Sequence, residues 1–412
     1  MTAFVAADQG RQPRTIAQRY EDAKNLLKDQ SSQVRIPEFL LFASLIFGTA
    51  TPVGLPAHQL VLMLICLYGL SRKPVYSLFP LRGLMVLFGC MLVYIALVSW
   101  LADPTDGASD WRRRLFRLGI TTLLIFLLAS GQLHLRSAIY GYVAAILLNI
   151  PLFYAGLVPD TYGGFLTGLV GDKNVAGLVY CLFGIAMLSL VRKKSHRIIV
   201  FLVFAGATWL TGSRTSLAAF AMGVLWIILA PRLSGLARAF LGLGIYLLVN
   251  ILSEDYSQVG DFADRAGSDA LRGRIDDAAW ERVQETGFFG QGLGEAYVNL
   301  SADTSFFFHN SYWSAFVEGG WLWVIFLVAL TVFVLIRPFS DRKTWTAQQL
   351  IAQGLGIALL ICSWRLGEVL FTMYWAICLG FGLRVWLAER PENLAQSNRG
   401  LDQELIPLGN KR

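Results

Sequence analysis

Charged side chains are scarce in this chain. They make up 15% of its 412 residues, whereas soluble domains carry about 25%. Hydrophobic residues reach 55% and aromatic ones 13%. A water-soluble fold of this length has nowhere to hide that much apolar surface, but a bilayer does. Cysteine is also rare. The five residues Cys66, Cys90, Cys181, Cys362 and Cys378 all lie in apolar runs, none at metal-ligand spacing. This pattern argues against a disulfide-stapled scaffold and a zinc site, and leaves them as small hydrophobes. No Asp-x-Asp pair of the kind that holds a divalent ion occurs. No metal and no cofactor is therefore expected. No internal repeat stands out, and the polar first 35 residues hold no signal-like apolar run. The first apolar segments are thus expected to stay in the membrane. The net charge of +7 reads as loop charge set by topology, not as nucleic-acid binding.

Twelve apolar runs fall at 36–50, 54–70, 82–102, 116–130, 137–157, 174–191, 198–212, 215–230, 239–252, 312–336, 347–363 and 370–387. They predict an all-α integral membrane protein of about twelve transmembrane helices. Several runs are shorter than the roughly 20 residues that cross a bilayer. The pairs 36–50/54–70 and 198–212/215–230 read either as two short helices joined by a tight turn or as one long helix. With the N-terminus in the cytoplasm, roughly two-thirds of the 35 Lys and Arg fall on the inner side, as the positive-inside rule expects. One stretch disagrees: Arg112, Arg113, Arg114 and Arg117 fall outside. They either draw anionic lipid headgroups or anchor a helix end.

The predicted organisation is a cytoplasmic segment 1–35, nine spans over 36–252, a large extracytoplasmic loop 253–311, three spans over 312–387 and a cytoplasmic tail 388–412. The setting would be a membrane that the chain crosses many times. A cytoplasmic surface helix is expected over 13–30. Within the large loop, Ser268 can cap a helix over about 269–286. Its Ile275, Ala279 and Val283 recur at i, i+4 and i+8, a stripe suited to the bilayer surface. Gly287, Gly290, Gly292 and Gly294 then break it.

Few titratable residues face outward near a membrane boundary. His309, one of four histidines, begins His309-Asn310-Ser311 where the loop re-enters the membrane. A histidine with an ordinary pKa near 6.5 can take a proton from a hydroxyl at neutral pH. It can equally be an interfacial side chain bonded to a headgroup or carbonyl. Arg214 follows Gly212-Ser213 at an outer turn, where an arginine needs a partner. A phosphate matches its guanidinium fork, and so do lipid headgroups. Arg272 and Arg274 open the loop helix, either as ligands or as a solvated basic face. Lys173 and Asn174 close a Gly-rich outer loop. Arg365 faces outward as well and can pair with Glu368. Arg282 reads as a surface residue.

In order along the chain, Lys173-Asn174, Gly212-Ser213-Arg214, the stretch from Gly273-Arg274 to Trp280 followed by Gly290-x-Gly292, and His309-Asn310 with Gly320 eleven residues after His309 resemble the O-antigen ligase and O-antigen polymerase superfamily. Trp323 departs from the ligase pattern, which has a small residue or Tyr there. The motifs cover about residues 170–340. The resemblance implies a metal-independent, inverting, membrane-embedded glycosyltransferase. Such an enzyme moves a glycan from a polyprenyl diphosphate carrier to a hydroxyl of a glycan or lipid-linked acceptor. It implies His309 as general base and Arg214 with Arg274 on the diphosphate. It leaves Arg272, Lys173, Asn174, Asn310 and Arg365 as substrate-binding candidates, with Asn310 orienting the imidazole. Ligase and polymerase are not separated. The rival expectation is a transporter or flippase for lipid-linked oligosaccharide, although matching halves are not apparent.

Overall fold

Each of the twelve apolar runs contains a helix in the computed structural model of the chain, which describes residues 34–48, 56–102, 104–105, 108–254, 266–301, 304–390 and 393. In chain order these helices are α1 (Ile36–Ala43), α2 (Ala57–Leu70), α3 (Arg82–Leu101), α4 (Trp111–Ala129), α5 (Leu135–Tyr154), α6 (Lys173–Met187), α7 (Lys194–Leu210), α8 (Arg214–Leu229) and α9 (Gly235–Glu254). The helix of the large loop is α10 (Ala266–Glu285), and α11 (Ser311–Thr331), α12 (Ala347–Arg365) and α13 (Met373–Ala388) follow it. The expected helix over 13–30 and most of the tail 388–412 lie outside the described residues.

Among the described residues, five helices are long and apolar enough to cross a membrane: α3, α5, α8, α11 and α12, three of them with short extensions. Length and composition set that number. Most of the others are shorter, and α4 carries four arginines in its first turns. The mostly helical architecture is compatible with an all-α membrane protein. α12 is central, with 78% of its most apolar stretch buried, and α3 is peripheral, with 17%. The outward side of α3 exposes Val86, Val93, Leu97 and Trp100, a surface that water would not tolerate and lipid would.

Small residues let the helices approach closely, as membrane packing favours. A Cβ on Gly223 of α8 would meet the Gly354 carbonyl of α12, and one on Gly177 of α6 would meet Ser213 and Ser216. The run pair 198–212/215–230 resolves as two helices, α7 and α8, joined by a turn at Gly212, whose φ is 65°.

The large loop departs from expectation in two ways. It contains an antiparallel hairpin, β1 (Tyr297–Ser301) with β2 (Thr304–Phe307), pairing Tyr297 with Phe307 and Val298 with Phe306. The stripe on α10 also does not lie outward. Ile275 and Ala279 are buried against Ala296, Val298, Phe308 and Val317, and Val283 packs beside them. The hairpin supplies an apolar partner that helical periodicity cannot reveal.

The arginines of α4 have partners too. Arg114 bridges Glu318 of α11 at 2.7 Å and Glu368 at 2.5 Å, and Arg117 lies 3.4 Å from Glu368. Glu368 therefore pairs with α4 and not with Arg365. Burial raises its pKa, but Arg114 and Arg117 outweigh burial and hold it at about 2. Arg282 is also partnered. It pairs with Glu295, donates to the Tyr297 carbonyl at 3.2 Å and lies over the Tyr297 ring. Replacing Arg114 by leucine would leave the buried Glu318 without its cation, a loss worth about 3–5 kcal/mol for a buried pair. The expected result is a clearly lower melting midpoint in detergent, partly restored when Glu318→Leu is added. An unchanged midpoint in Arg114→Leu would show that the bridge does not hold α4 to α11.

Candidate functional site

The residues around His309 are set by local hydrogen bonds on every side. Asn310 is the N-cap of α11. Its Oδ1 accepts from the backbone N–H of Tyr312 at 2.9 Å and of Trp313 at 3.2 Å. The Asn310 Oδ1 therefore holds the helix start. Ser311 Oγ donates to the Leu366 carbonyl at 2.6 Å and accepts from Val369 N–H at 2.9 Å. A Cβ on Gly367 would collide with the Phe308 carbonyl. The turn after α12, which begins at Arg365, is thus locked to the chain at His309.

A second contact comes from the Gly-rich loop before α6. Asp172 caps α6, accepting from Asn174 N–H at 2.8 Å and Val175 N–H at 2.9 Å, and the Tyr162 hydroxyl donates to it at 2.6 Å. The Lys173 ammonium sits 5.4 Å from the Tyr162 ring centre and 5.6 Å from that of Phe165. One turn into α6, Gly177 touches the residues flanking Arg214, and Leu166 N–H donates to the Leu210 carbonyl at 2.9 Å. The N-terminal ends of α6 and α8 therefore lie side by side, with Asn174 and Arg214 both half-buried.

α10 supplies the third side. Arg272 is half-buried and Arg274 exposed. Residues two apart on a helix leave it from different faces, and of the two Arg272 is the more buried. Arg272 is the one whose charge acts on His309. Asp276, one turn further along the same face, feels both Arg272 and Arg365. Trp280 continues that line, and its ring centre lies 5.5 Å from that of Trp313 in the first turn of α11.

The electrostatics follow. Burial lowers the His309 pKa, Arg272 lowers it further, and Asp172 pulls the other way, leaving it at about 4. The imidazole is neutral at neutral pH, and its Nδ1 is buried with no hydrogen-bond partner among the described residues. Asp276 is shifted up, first by burial and then by Asp277, against Arg272 and Arg365. By charge, His309 responds to Arg272 and Asp172, and Asp276 responds to Arg272 and Arg365, with Lys173 and Asn174 adjoining Asp172 in the chain. Arg214 adjoins the start of α6 through the Gly177 contact with Ser213 and Ser216, and Arg274 is exposed. Sequence reasoning gave no role to Asp172, Asp276 or the tryptophan pair. The i, i+4, i+8 spacing of Arg272, Asp276 and Trp280 was the available signal. Among the described residues, no group of three or more His, Cys, Asp or Glu side chains is arranged to hold a metal ion.

The glycines quoted in the sequence pattern have a structural reason here. α11 is interrupted at Gly320, with φ 64° and ψ −163°. The segment 287–294 inserts at the break. Gln291 N–H donates to the Val317 carbonyl at 2.7 Å, Gly292 N–H to the Glu318 carbonyl at 2.9 Å, and Trp321 N–H to the Phe288 carbonyl at 3.1 Å. Trp323 is buried, with its ring stacked 5.3 Å from that of Phe371, and Gly319 gives it room. No protein-family profile matches this chain, and no curated protein matches it.

Proposed function

We propose that this protein is a membrane glycosyltransferase of the O-antigen ligase or polymerase type, working on the outer face of the bacterial cytoplasmic membrane. In this reading the chain crosses the bilayer about twelve times, with both termini in the cytoplasm. The donor is a glycan on a polyprenyl diphosphate. The acceptor is a hydroxyl of a glycan or lipid-linked molecule. The observation that carries the reading is a neutral, half-buried imidazole whose proton affinity is lowered by burial and by the charge of Arg272.

The chemistry is a single displacement. His309 takes the proton of the acceptor hydroxyl. The oxygen attacks the anomeric carbon, a new glycosidic bond forms, and the bond to the diphosphate breaks with inversion. The polyprenyl diphosphate leaves with the electron pair. Arg272, Arg365 and Arg214 stabilise its charge, as pre-placed donors do for a developing anion. Asp172 favours the imidazolium that forms. Arg272 takes the place the resemblance assigned to Arg274, because Arg274 is exposed on another face.

The test is transfer in proteoliposomes, from polyprenyl-diphosphate glycan to purified lipid A core or to a second lipid-linked repeat, followed against pH. A base with a pKa of about 4 keeps activity level as pH falls through 6.5 and loses it only near 4. Arg272→Ala removes a positive charge that disfavours protonation, so its acid limb should move to higher pH. Arg274→Ala should leave the limb where it is. A limb near 6.5 in the wild type, or movement of glycan across the membrane without bond formation, would count against the reading.

A further inference from the structure

The line Arg272, Asp276, Trp280 ends on an aromatic pair whose chemistry points to a sugar ring. Trp280 is 47% exposed, although it sits beside a small apolar core that buries Ile275 and Ala279. Its partner Trp313 is half-buried, and the two rings meet at 42° with centres 5.5 Å apart. The backbone N–H of Trp313 donates to Asn310 Oδ1 at 3.2 Å, which places the residue in the first turn of α11, only four residues from His309. One indole is half-buried and the other is open.

Successive residues of this line are four apart, so each step advances roughly 6 Å along the helix, close to the length of one sugar ring. With a diphosphate at Arg272, the donor sugar falls beside Asp276 and the next ring beside Trp280. A half-buried carboxyl such as Asp276 accepts hydrogen bonds from sugar hydroxyls. An indole offers a flat apolar face to the C–H side of a pyranose. The open tryptophan is thus two helical turns from the diphosphate end, on the far side of the reacting carbon.

We propose that Trp280, braced by Trp313, is the stacking platform for a sugar ring of the acceptor glycan. This rests on the transfer reading above and names the part of the site that recognises the acceptor. Arg272 and Trp280 then divide the work, with diphosphate at one end and acceptor at the other.

The test is direct binding, so that it does not depend on turnover. The purified full-length protein in detergent is applied to an array of bacterial surface oligosaccharides, and the apparent Kd for the best-bound glycan is measured. Trp280→Phe keeps an aromatic face and should bind within about threefold of wild type. Trp280→Leu keeps apolar bulk without that face and should weaken binding at least tenfold, with an unchanged melting midpoint. His309→Ala should still bind. The proposal is overturned if Trp280→Leu binds like wild type, as it would if the indole only anchored the loop to lipid. It is also overturned if the wild type binds no glycan. A fully active His309→Ala together with lost binding in Trp280→Leu would sink the catalytic reading and leave the platform standing.

Discussion

His309→Ala is expected to lower glycan transfer by about 10²–10⁴-fold, the usual contribution of a positioned general base. The polyprenyl-diphosphate donor should still bind, because the proposed reading places its diphosphate on arginines from other elements. Folding should be little affected. The imidazole is half-buried and its Nδ1 has no hydrogen-bond partner among the described residues, so its removal breaks no bond from that nitrogen. His309→Gln is the sharper variant. It fills similar space and keeps a polar end but cannot take a proton near neutral pH, so it should be as inactive as the alanine variant. The measurements are single-turnover transfer with reconstituted protein, donor binding by a tritiated polyprenyl diphosphate, and the melting midpoint. Full activity in either variant would remove the proposed base.

Gly320→Ala is expected to destabilise the protein and abolish activity together. At φ 64° and ψ −163°, the backbone is in a region open almost only to glycine. Holding another residue there costs on the order of 1–3 kcal/mol. A Cβ would also collide with the Phe288 carbonyl, so the segment 287–294 would have to leave the helix break. That segment satisfies the carbonyls of Val317 and Glu318 and the N–H of Trp321. Inside a membrane, backbone groups without partners are expensive. Losing the segment would also release the Leu293 N–H bond to Ser99 of α3 and the Gly294 N–H bond to Glu318. The expected result is a lower melting midpoint and a new protease-sensitive site in the large loop. A Gly320→Ala protein with wild-type melting behaviour and activity would mean the break is not needed.

Much of the helical frame was legible in advance, because lipid leaves a long apolar run few options besides a helix. All twelve runs contain one, and α10 lies within a few residues of the expected surface helix. The glycines at 290, 292 and 320 were visible as a pattern, but their shared purpose was not. It depends on a loop reaching a helix some thirty residues later in the chain. The hairpin Tyr297–Phe307 was missed for the same reason. Its alternation is short, and what it packs against lies on α10.

The charges divide along the same line. Arg365 and Glu368 are three residues apart, which suggested a pair, yet Glu368 pairs with Arg114 and Arg117 while the charge of Arg365 acts on Asp276. Arg272 and Arg274 were equivalent candidates, and helix phase separates them. Sequence by itself determined the apolar character of the chain, the positions of its helices and a short set of polar residues fit for chemistry. Only the tertiary structure decided which of those residues share a face, which are spent on caps and ion pairs, and which charges reach His309. Periodicity and hydropathy act over one or two helical turns, whereas an electric field and a buried hydrogen bond join residues that meet only when the chain has folded.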